Sequence, residues 1–241
     1  MLKNKALIII PAYNEEASVG QVVHSIFASV SGVDVLVVSD GSRDNTVSVA
    51  KQAGAFVIAL PVNLGIGGAM QTGYRYAAEQ GYNYAVQVDA DGQHDPVDLP
   101  RLLAEAEKME ANLIIGSRYV AKTGYQSTHA RRLGMIVLSG FVHMAVGYPV
   151  KDTTSGYRVA DRRVIELFSA YYPLDYPEVE VLVLLHRHHI KVREVSVEMR
   201  ERQAGHSSIT TLKSIYYMFK VTLAIGLEVL RIQTIRRDGS L

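Results

Sequence analysis

The chain has 241 residues, 25 Lys plus Arg against 24 Asp plus Glu, 48% hydrophobic residues, and neither cysteine nor tryptophan. That length buries a substantial core in one α/β domain or two smaller ones. A net charge of +1 gives no global field for gripping nucleic acid, which is not expected as a partner, and the lack of cysteine excludes disulfides, thiolate zinc sites and cysteine nucleophiles.

The first apolar run, residues 6–10, follows a basic start, is too short for a signal peptide and ends at Pro11, so a cytoplasmic start is expected. From there short apolar runs alternate with helical patterns, the mark of βαβ units around a mostly parallel sheet. Strands are predicted over residues 6–10, 33–38, 56–60 and 84–88, each apolar enough for burial on both faces. Between the first two, Val19, Val22, Val23, Ile26, Phe27 and Val30 recur at helical spacing. Further helices are predicted over residues 45–53 and 67–79, and Asp95-Pro96 caps a fourth carrying Leu99, Leu102 and Leu103. Residues 113–116 read as another strand.

The second half has a different texture. Residues 119–131 lack apolar periodicity and read as a loop, residues 133–146 as an apolar helix, 152–158 as a polar strand, 179–188 as a helix and 192–197 as an alternating strand. Arg200 to Ser208 is a charged loop. The expected division is one domain over residues 1–208 and a C-terminal amphipathic helix in residues 209–241, running from Thr210 to Ile235. Lys220 and Glu228 interrupt its apolar run, and a span needs about 20 apolar residues, so a crossing is not expected. With Lys213, Lys220, Arg231, Arg236 and Arg237 it suits an anionic membrane surface, or else packing on the domain or a second subunit.

The strongest chemical signal is Gln87-Val88-Asp89-Ala90-Asp91-Gly92-Gln93-His94-Asp95-Pro96. Two carboxylates two residues apart at a strand end fall at the sheet edge where α/β folds bind ligands. On a strand, side chains at i and i+2 share a face, so Asp89 and Asp91 are expected to converge on one Mg²⁺ or Mn²⁺, with Gln93 adding a neutral oxygen. A capping turn accounts for Asp95-Pro96 and leaves the two aspartates unexplained. Pro11-Ala12-Tyr13-Asn14-Glu15-Glu16 offers a ring to a base and a helix start to an anion, although Asn14 could equally be a cap. Asp40, in Ser39-Asp40-Gly41-Ser42, could accept bonds from a base or ribose, or belong to an ordinary turn. Residues 63–69 fail the dinucleotide fingerprint, because Met70 stands at its third glycine, and no P-loop occurs.

In this order, together with Gly116-Ser117-Arg118, Asp152-Thr153-Thr154-Ser155-Gly156-Tyr157-Arg158 and Arg200-Glu201-Arg202-Gln203-Ala204-Gly205-His206-Ser207-Ser208, the segments resemble the family 2 glycosyltransferases of GT-A fold. The resemblance covers residues 6–208 and is nearest the dolichyl-phosphate mannose synthase branch and its bacterial polyprenyl-phosphate relatives. It implies a Rossmann-like GT-A sheet flanked by helices. It places Pro11, Tyr13, Glu15, Asp40, Asp89 and Ala90 at the nucleotide and Asp89, Asp91 and Gln93 around a metal on its diphosphate. Arg202 would contact the donor phosphate, with Arg118 and Arg131 toward an acceptor phosphate; Asp91, Arg118, Arg131, Asp152 and Arg202 form the expected catalytic set. Ser39 departs from the family pattern, standing where the first carboxylate of Asp-Asp-Gly-Ser is common.

A phosphate-monoester acceptor, with a second pKa near 6, is largely dianionic at neutral pH and hardly needs a general base. A hydroxyl acceptor needs one, and Asp152, Glu178 and Glu180 are the candidates, unless Asp152 merely holds its turn and the glutamates merely open a helix. His186, His188 and His189 read as a solvated basic helix end. The expected function is metal-dependent, inverting transfer of a hexose from a nucleotide sugar, a UDP-sugar ahead of GDP-mannose, to a polyprenyl phosphate in cell-envelope glycan synthesis. The expected place is the inner face of the membrane, with a small membrane protein or a second copy of the chain as candidate partner. The alternatives are transfer to a polysaccharide hydroxyl and a sugar nucleotidyltransferase.

Overall fold

A computed structural model describes residues 5–108, 111–120, 139–144, 146–174 and 177–200. Arg131, Arg202, most of the 119–131 loop and the 210–235 helix lie outside the described residues. So do Leu133 to Leu138 of the 133–146 helix; residues 139–144 are helical.

Seven strands form one sheet: β1 (Ala6–Ala12), β2 (Val33–Asp40), β3 (Phe56–Leu60), β4 (Tyr84–Gln87), β5 (Leu113–Ser117), β6 (Arg158–Asp161) and β7 (Val192–Ser196), in the order β3-β2-β1-β4-β6-β5-β7. The pairs β1–β2, β1–β4, β2–β3 and β5–β7 are parallel, whereas β6 runs antiparallel to both β4 and β5. The helices are α1 (Val19–Ser29), α2 (Thr46–Gln52), α3 (Gly65–Glu79), α4 (Leu99–Lys108), α5 (Arg162–Ala170) and α6 (Pro177–Arg187), with a 3₁₀ turn (Pro96–Asp98) before α4. Among the described residues no helix is long and apolar enough to cross a membrane.

Strand alternation divides the core in two. In β1, Leu7 and Ile9 face one layer with Met70, Tyr74, Phe168 and Leu182, while Ile8 and Ile10 face the other with Val22, Ile26, Leu99 and Leu102. The first layer is built by α3, α5 and α6, the second by α1, α2 and α4. Tyr74, Phe168 and Tyr172 meet at centroid distances of 5.0 to 5.4 Å, two of the pairs edge to face, and so knit α3 to α5. The helix starts follow local chemistry: Asp95 Oδ1 accepts the Val97 N–H at 3.0 Å, and Asp161 Oδ1 accepts the Val164 N–H at 2.9 Å.

Two predicted elements change and one helix is added. Residues 152–157 form a turn, and the strand begins only at Arg158. Ser155 explains this: its hydroxyl donates to the Gly116 carbonyl at 2.6 Å and accepts the Tyr157 N–H at 3.2 Å, satisfying groups locally that a ladder would otherwise use. Helix α5, which the sequence reading missed, follows at once from the Asp161 cap. β3 is an edge strand with Phe56 54% exposed, so it is not buried on both faces.

Close approach at the start of α3 depends on Gly67, where a Cβ would lie 2.5 Å from Leu174 Cα and from the Pro173 carbonyl oxygen. Backbone cannot swing aside as a side chain does. Gly67→Ala should therefore lower unfolding stability by about 1–3 kcal/mol, measured by urea titration; an unchanged midpoint would show that α3 and the 173–174 segment part freely.

Candidate active site

The carboxyl ends of β1, β2 and β4 meet where the chain order reverses, β2 lying on one side of β1 and β4 on the other. In open α/β sheets this is where ligands bind. A cleft of about 340 Å³ opens there, lined by Pro11, Tyr13, Glu15, Asp40, Asp89, Ala90 and Asp91 together with Asn63, Gly65 and Ile66. All six residues expected at the nucleotide, and both aspartates expected at the metal, thus share one cavity.

Its floor is held by a reciprocal clasp between the loops that follow β1 and β2. Glu15 N–H donates to Thr46 Oγ1 (2.8 Å), Glu16 N–H to Asp44 Oδ2 (3.1 Å) and Asn14 N–H to Ser42 Oγ (3.1 Å). In return Arg43 N–H donates to Asn14 Oδ1 and Asn45 N–H to Glu16 Oε2, both at 2.8 Å. Burial pushes the Asp44 carboxyl up, but the Thr46 hydroxyl and the Thr46 and Glu16 amides outweigh it and hold it below the ordinary carboxylate value. Asn14 is bent into the left-handed region at φ 55° to make these contacts. Asp40 is buried and accepts the Leu64 N–H at 2.7 Å, tying β2 to the start of α3. Ser39, the departure from the family pattern, donates to Ser42 Oγ at 2.9 Å; at 1% exposure its position accepts a hydroxyl at less cost than a carboxylate.

β4 ends at Gln87, so Asp89 and Asp91 stand in the turn beyond it and not on one face of a strand. The turn still brings both to the cleft. Asp91 is 5% exposed and its Oδ1 accepts the Gln93 N–H at 3.0 Å. Asp89 Oδ1 is buried with no hydrogen-bond partner, a lone pair set suited to a cation. Among the described residues no three His, Asp or Glu side chains form a metal cage; two carboxylates completed by phosphate oxygens are enough for Mg²⁺ or Mn²⁺. Gln93 does not line the cleft. The residue the sequence reading passed over is His94, whose Nδ1 accepts the Asp89 N–H at 3.0 Å and whose Nε2 stands 3.5 Å from Asp89 Oδ2. Its ring stacks on Tyr157 at 4.7 Å. A single histidine inside a capping motif carries no sequence signal for this contact.

Residues 7–168 match the Glycosyl transferase family 2 profile. The chain belongs to glycosyl transferase family 2. It is 35% identical over 217 residues to the undecaprenyl-phosphate mannosyltransferase of Micrococcus luteus, covering 86% of this chain and 88% of that one. It is 31% identical over 227 residues to the polyprenol monophosphomannose synthase of Mycolicibacterium smegmatis, covering 90% and 85%. Glucosyl-3-phosphoglycerate synthase from Mycobacterium tuberculosis, solved with Mn²⁺, UDP-glucose and phosphoglyceric acid, shares the fold at a TM-score of 0.71 and 23% identity, over 94% of this chain and 80% of that one. The protein is therefore a glycosyltransferase with a GT-A sheet.

In this glycosyltransferase Arg118 and Asp152, both expected in the catalytic set, do not line the cleft; they form one unit just beyond the end of β5. Asp152 is fully buried; Arg118 Nη2 donates to its Oδ1 at 2.6 Å, while Nε at 2.8 Å and the backbone N–H at 3.0 Å donate to Oδ2. Arg118 Nη2 also donates to Thr154 Oγ1 at 3.0 Å. Both Asp152 oxygens are thus taken up by Arg118, the arrangement of a carboxylate that holds a turn and an arginine. Glu178 and Glu180 occupy the first turn of α6. Burial pushes the Glu178 carboxyl up, the Arg158 guanidinium opposes that, and Asp89 and Glu180 add to it.

Proposed function

We propose that this glycosyltransferase moves a hexose from a nucleotide sugar to a polyprenyl phosphate, with inversion, using a divalent cation at Asp89 and Asp91. The observation that carries the reading is the cleft itself, where Asp40 and the two aspartates meet and Asp89 Oδ1 stays buried without a partner. The two lipid-phosphate mannosyltransferases support the acceptor class and put mannose first among the hexoses to try.

An oxygen of the acceptor phosphate attacks the anomeric carbon from the face opposite the diphosphate. The bond from that carbon to the diphosphate oxygen breaks, and nucleoside diphosphate leaves. The acceptor is already ionised and gives up no proton, so no general base is required, in keeping with an Asp152 engaged by Arg118. Pro11, Tyr13, Glu15 and Ala90, which line the cleft, would wall the nucleotide, and Asp40 would accept from it. Bound Mg²⁺ or Mn²⁺ would supply positive charge to the departing diphosphate. Arg118 would face the acceptor phosphate, together with Arg131, while Arg202 would serve the donor. Attachment to the cytosolic face of the membrane through residues 209–241 is part of the same proposal.

The test offers UDP- and GDP-linked hexoses, mannose foremost, to the full chain with polyprenyl phosphate in anionic vesicles and Mn²⁺. Labelled sugar should pass into the lipid phase with release of nucleoside diphosphate, a UDP-sugar ahead of GDP-mannose, and the protein should sediment with the vesicles less completely at high salt. Efficient glycosylation of free oligosaccharides with the lipid ignored would move the acceptor to a hydroxyl.

A further inference from the structure

We propose that Arg158 is a positioning residue for the Asp89 carboxylate, acting through the turn that precedes β6. The proposal rests on Asp89 as a metal ligand and concerns what holds it in place. Arg158 is 1% exposed, the bulkiest of the fully buried side chains. Buried arginines are ordinarily matched by a carboxylate in a bidentate pair. Arg158 instead donates to backbone: Nε to the Ser155 carbonyl at 2.8 Å, and Nη2 to the carbonyls of Thr153 (3.4 Å) and Glu178. Its Nη1 has no hydrogen-bond partner. One guanidinium therefore gathers carbonyls from the 153–155 turn and from the first turn of α6.

The turn so gathered lies against the metal carboxylate. A Cβ on Gly156 would stand 3.2 Å from Asp89 Oδ1, 3.4 Å from Oδ2 and 2.9 Å from Gln87 Nε2, so both oxygens lie beside the glycine in the space a side chain would take. Antiparallel pairing fixes the approach, since Gln87, the last residue of β4, registers with Arg158, the first of β6. His94 holds the Asp89 amide from the other side. Asp89 Oδ1 has no hydrogen bond to set its direction, so the carboxylate is oriented by the His94 Nε2 contact to Oδ2 at 3.5 Å and by Gly156 packed beside it. Removing the guanidinium strands the Ser155 and Thr153 carbonyls in a buried place, and the turn must shift to reach new donors. Asp89 then loses its backing.

The experiment compares the full chain with Arg158→Gln, Gly156→Ala and Asp89→Asn, reading Mn²⁺ affinity by electron paramagnetic resonance titration in the presence of UDP or GDP, whichever binds. Arg158→Gln and Gly156→Ala should each weaken Mn²⁺ binding by about 10–100-fold, the range for residues that orient a ligand without touching the metal. Metal-free nucleotide binding and circular dichroism should stay near wild type. A merely structural arginine would lower the melting temperature and leave the Mn²⁺ constant of the folded protein unchanged, and that result overturns the proposal. If Arg158→Gln fails to fold, Arg158→Lys, which keeps the charge but loses the fork of donors, is read in its place by the same two measurements. Wild-type Mn²⁺ affinity in Asp89→Asn would overturn the metal assignment itself, and with it this proposal; its loss there but retention in a folded Arg158→Gln and in Gly156→Ala overturns the positioning role alone.

Discussion

Asp89→Asn is expected to lower sugar transfer by about 10²–10³-fold at saturating Mn²⁺, the usual scale for losing one preorganised charge that stabilises a leaving group. The change is nearly isosteric, and Asp89 is about one-third exposed with Oδ1 unpaired, so little of the fold depends on its charge. The amide keeps its N–H bond to His94 because that bond is made by backbone. Melting temperature should therefore hold within a degree or two while turnover collapses. Initial rates of lipid-linked sugar formation, taken over a range of Mn²⁺ and after chelator, check this. Full activity in the mutant, or in chelator, would remove the divalent cation from the mechanism.

Arg118→Ala should cost about 3–5 kcal/mol of folding stability, because it leaves the fully buried Asp152 carboxylate without its counter-ion. A surface pair would cost far less. The double change Arg118→Met with Asp152→Leu should regain much of the loss, since a buried pair replaced by apolar groups of similar volume is often neutral. Urea titrations of the single and double variants give the comparison. A single variant within 1 kcal/mol of wild type would mean that Asp152 reaches water. Transfer to lipid phosphate should fall in both, the double variant being folded yet slow.

Much of the sheet was legible because its strands are continuous apolar runs. β1 and β2 overshot their predicted ends only in Pro11, Ala12, Ser39 and Asp40, the positions that turn toward the cleft. β6 reads too early in the sequence, over residues 152–158, because only the tertiary fold supplies the Gly116 carbonyl that lets Ser155 hold a turn and the carbonyls that bury Arg158 at the strand's true start. α5 carried its signal openly in Asp161 followed by Val164, Ile165 and Phe168, and a cap search would have found it. At the site, residue types were readable and geometry was not. Asp89 and Asp91 share the cleft by way of a turn, since β4 stops at Gln87. The Arg118–Asp152 pair spans 34 positions and the clasp of residues 14–16 with 42–46 about 30, distances over which local pattern says nothing.

The reversed direction of β6 has a consequence for how such enzymes can diversify. β5 runs parallel to β7 and with β4, so its end at Ser117 points to the active edge; β6, running the other way, begins at that same edge. Residues 118–157 therefore leave and re-enter the sheet at one place. The exit and return are stapled at the neck by Arg118 with Asp152 and by Gly116 N–H to the Tyr157 carbonyl at 2.8 Å. An excursion with a closed neck is insulated from strand register: each doubling of its length adds only about 0.6 kcal/mol of closure entropy. Residues 118–157 can thus lengthen or shorten while the cleft at the ends of the first strands keeps its geometry.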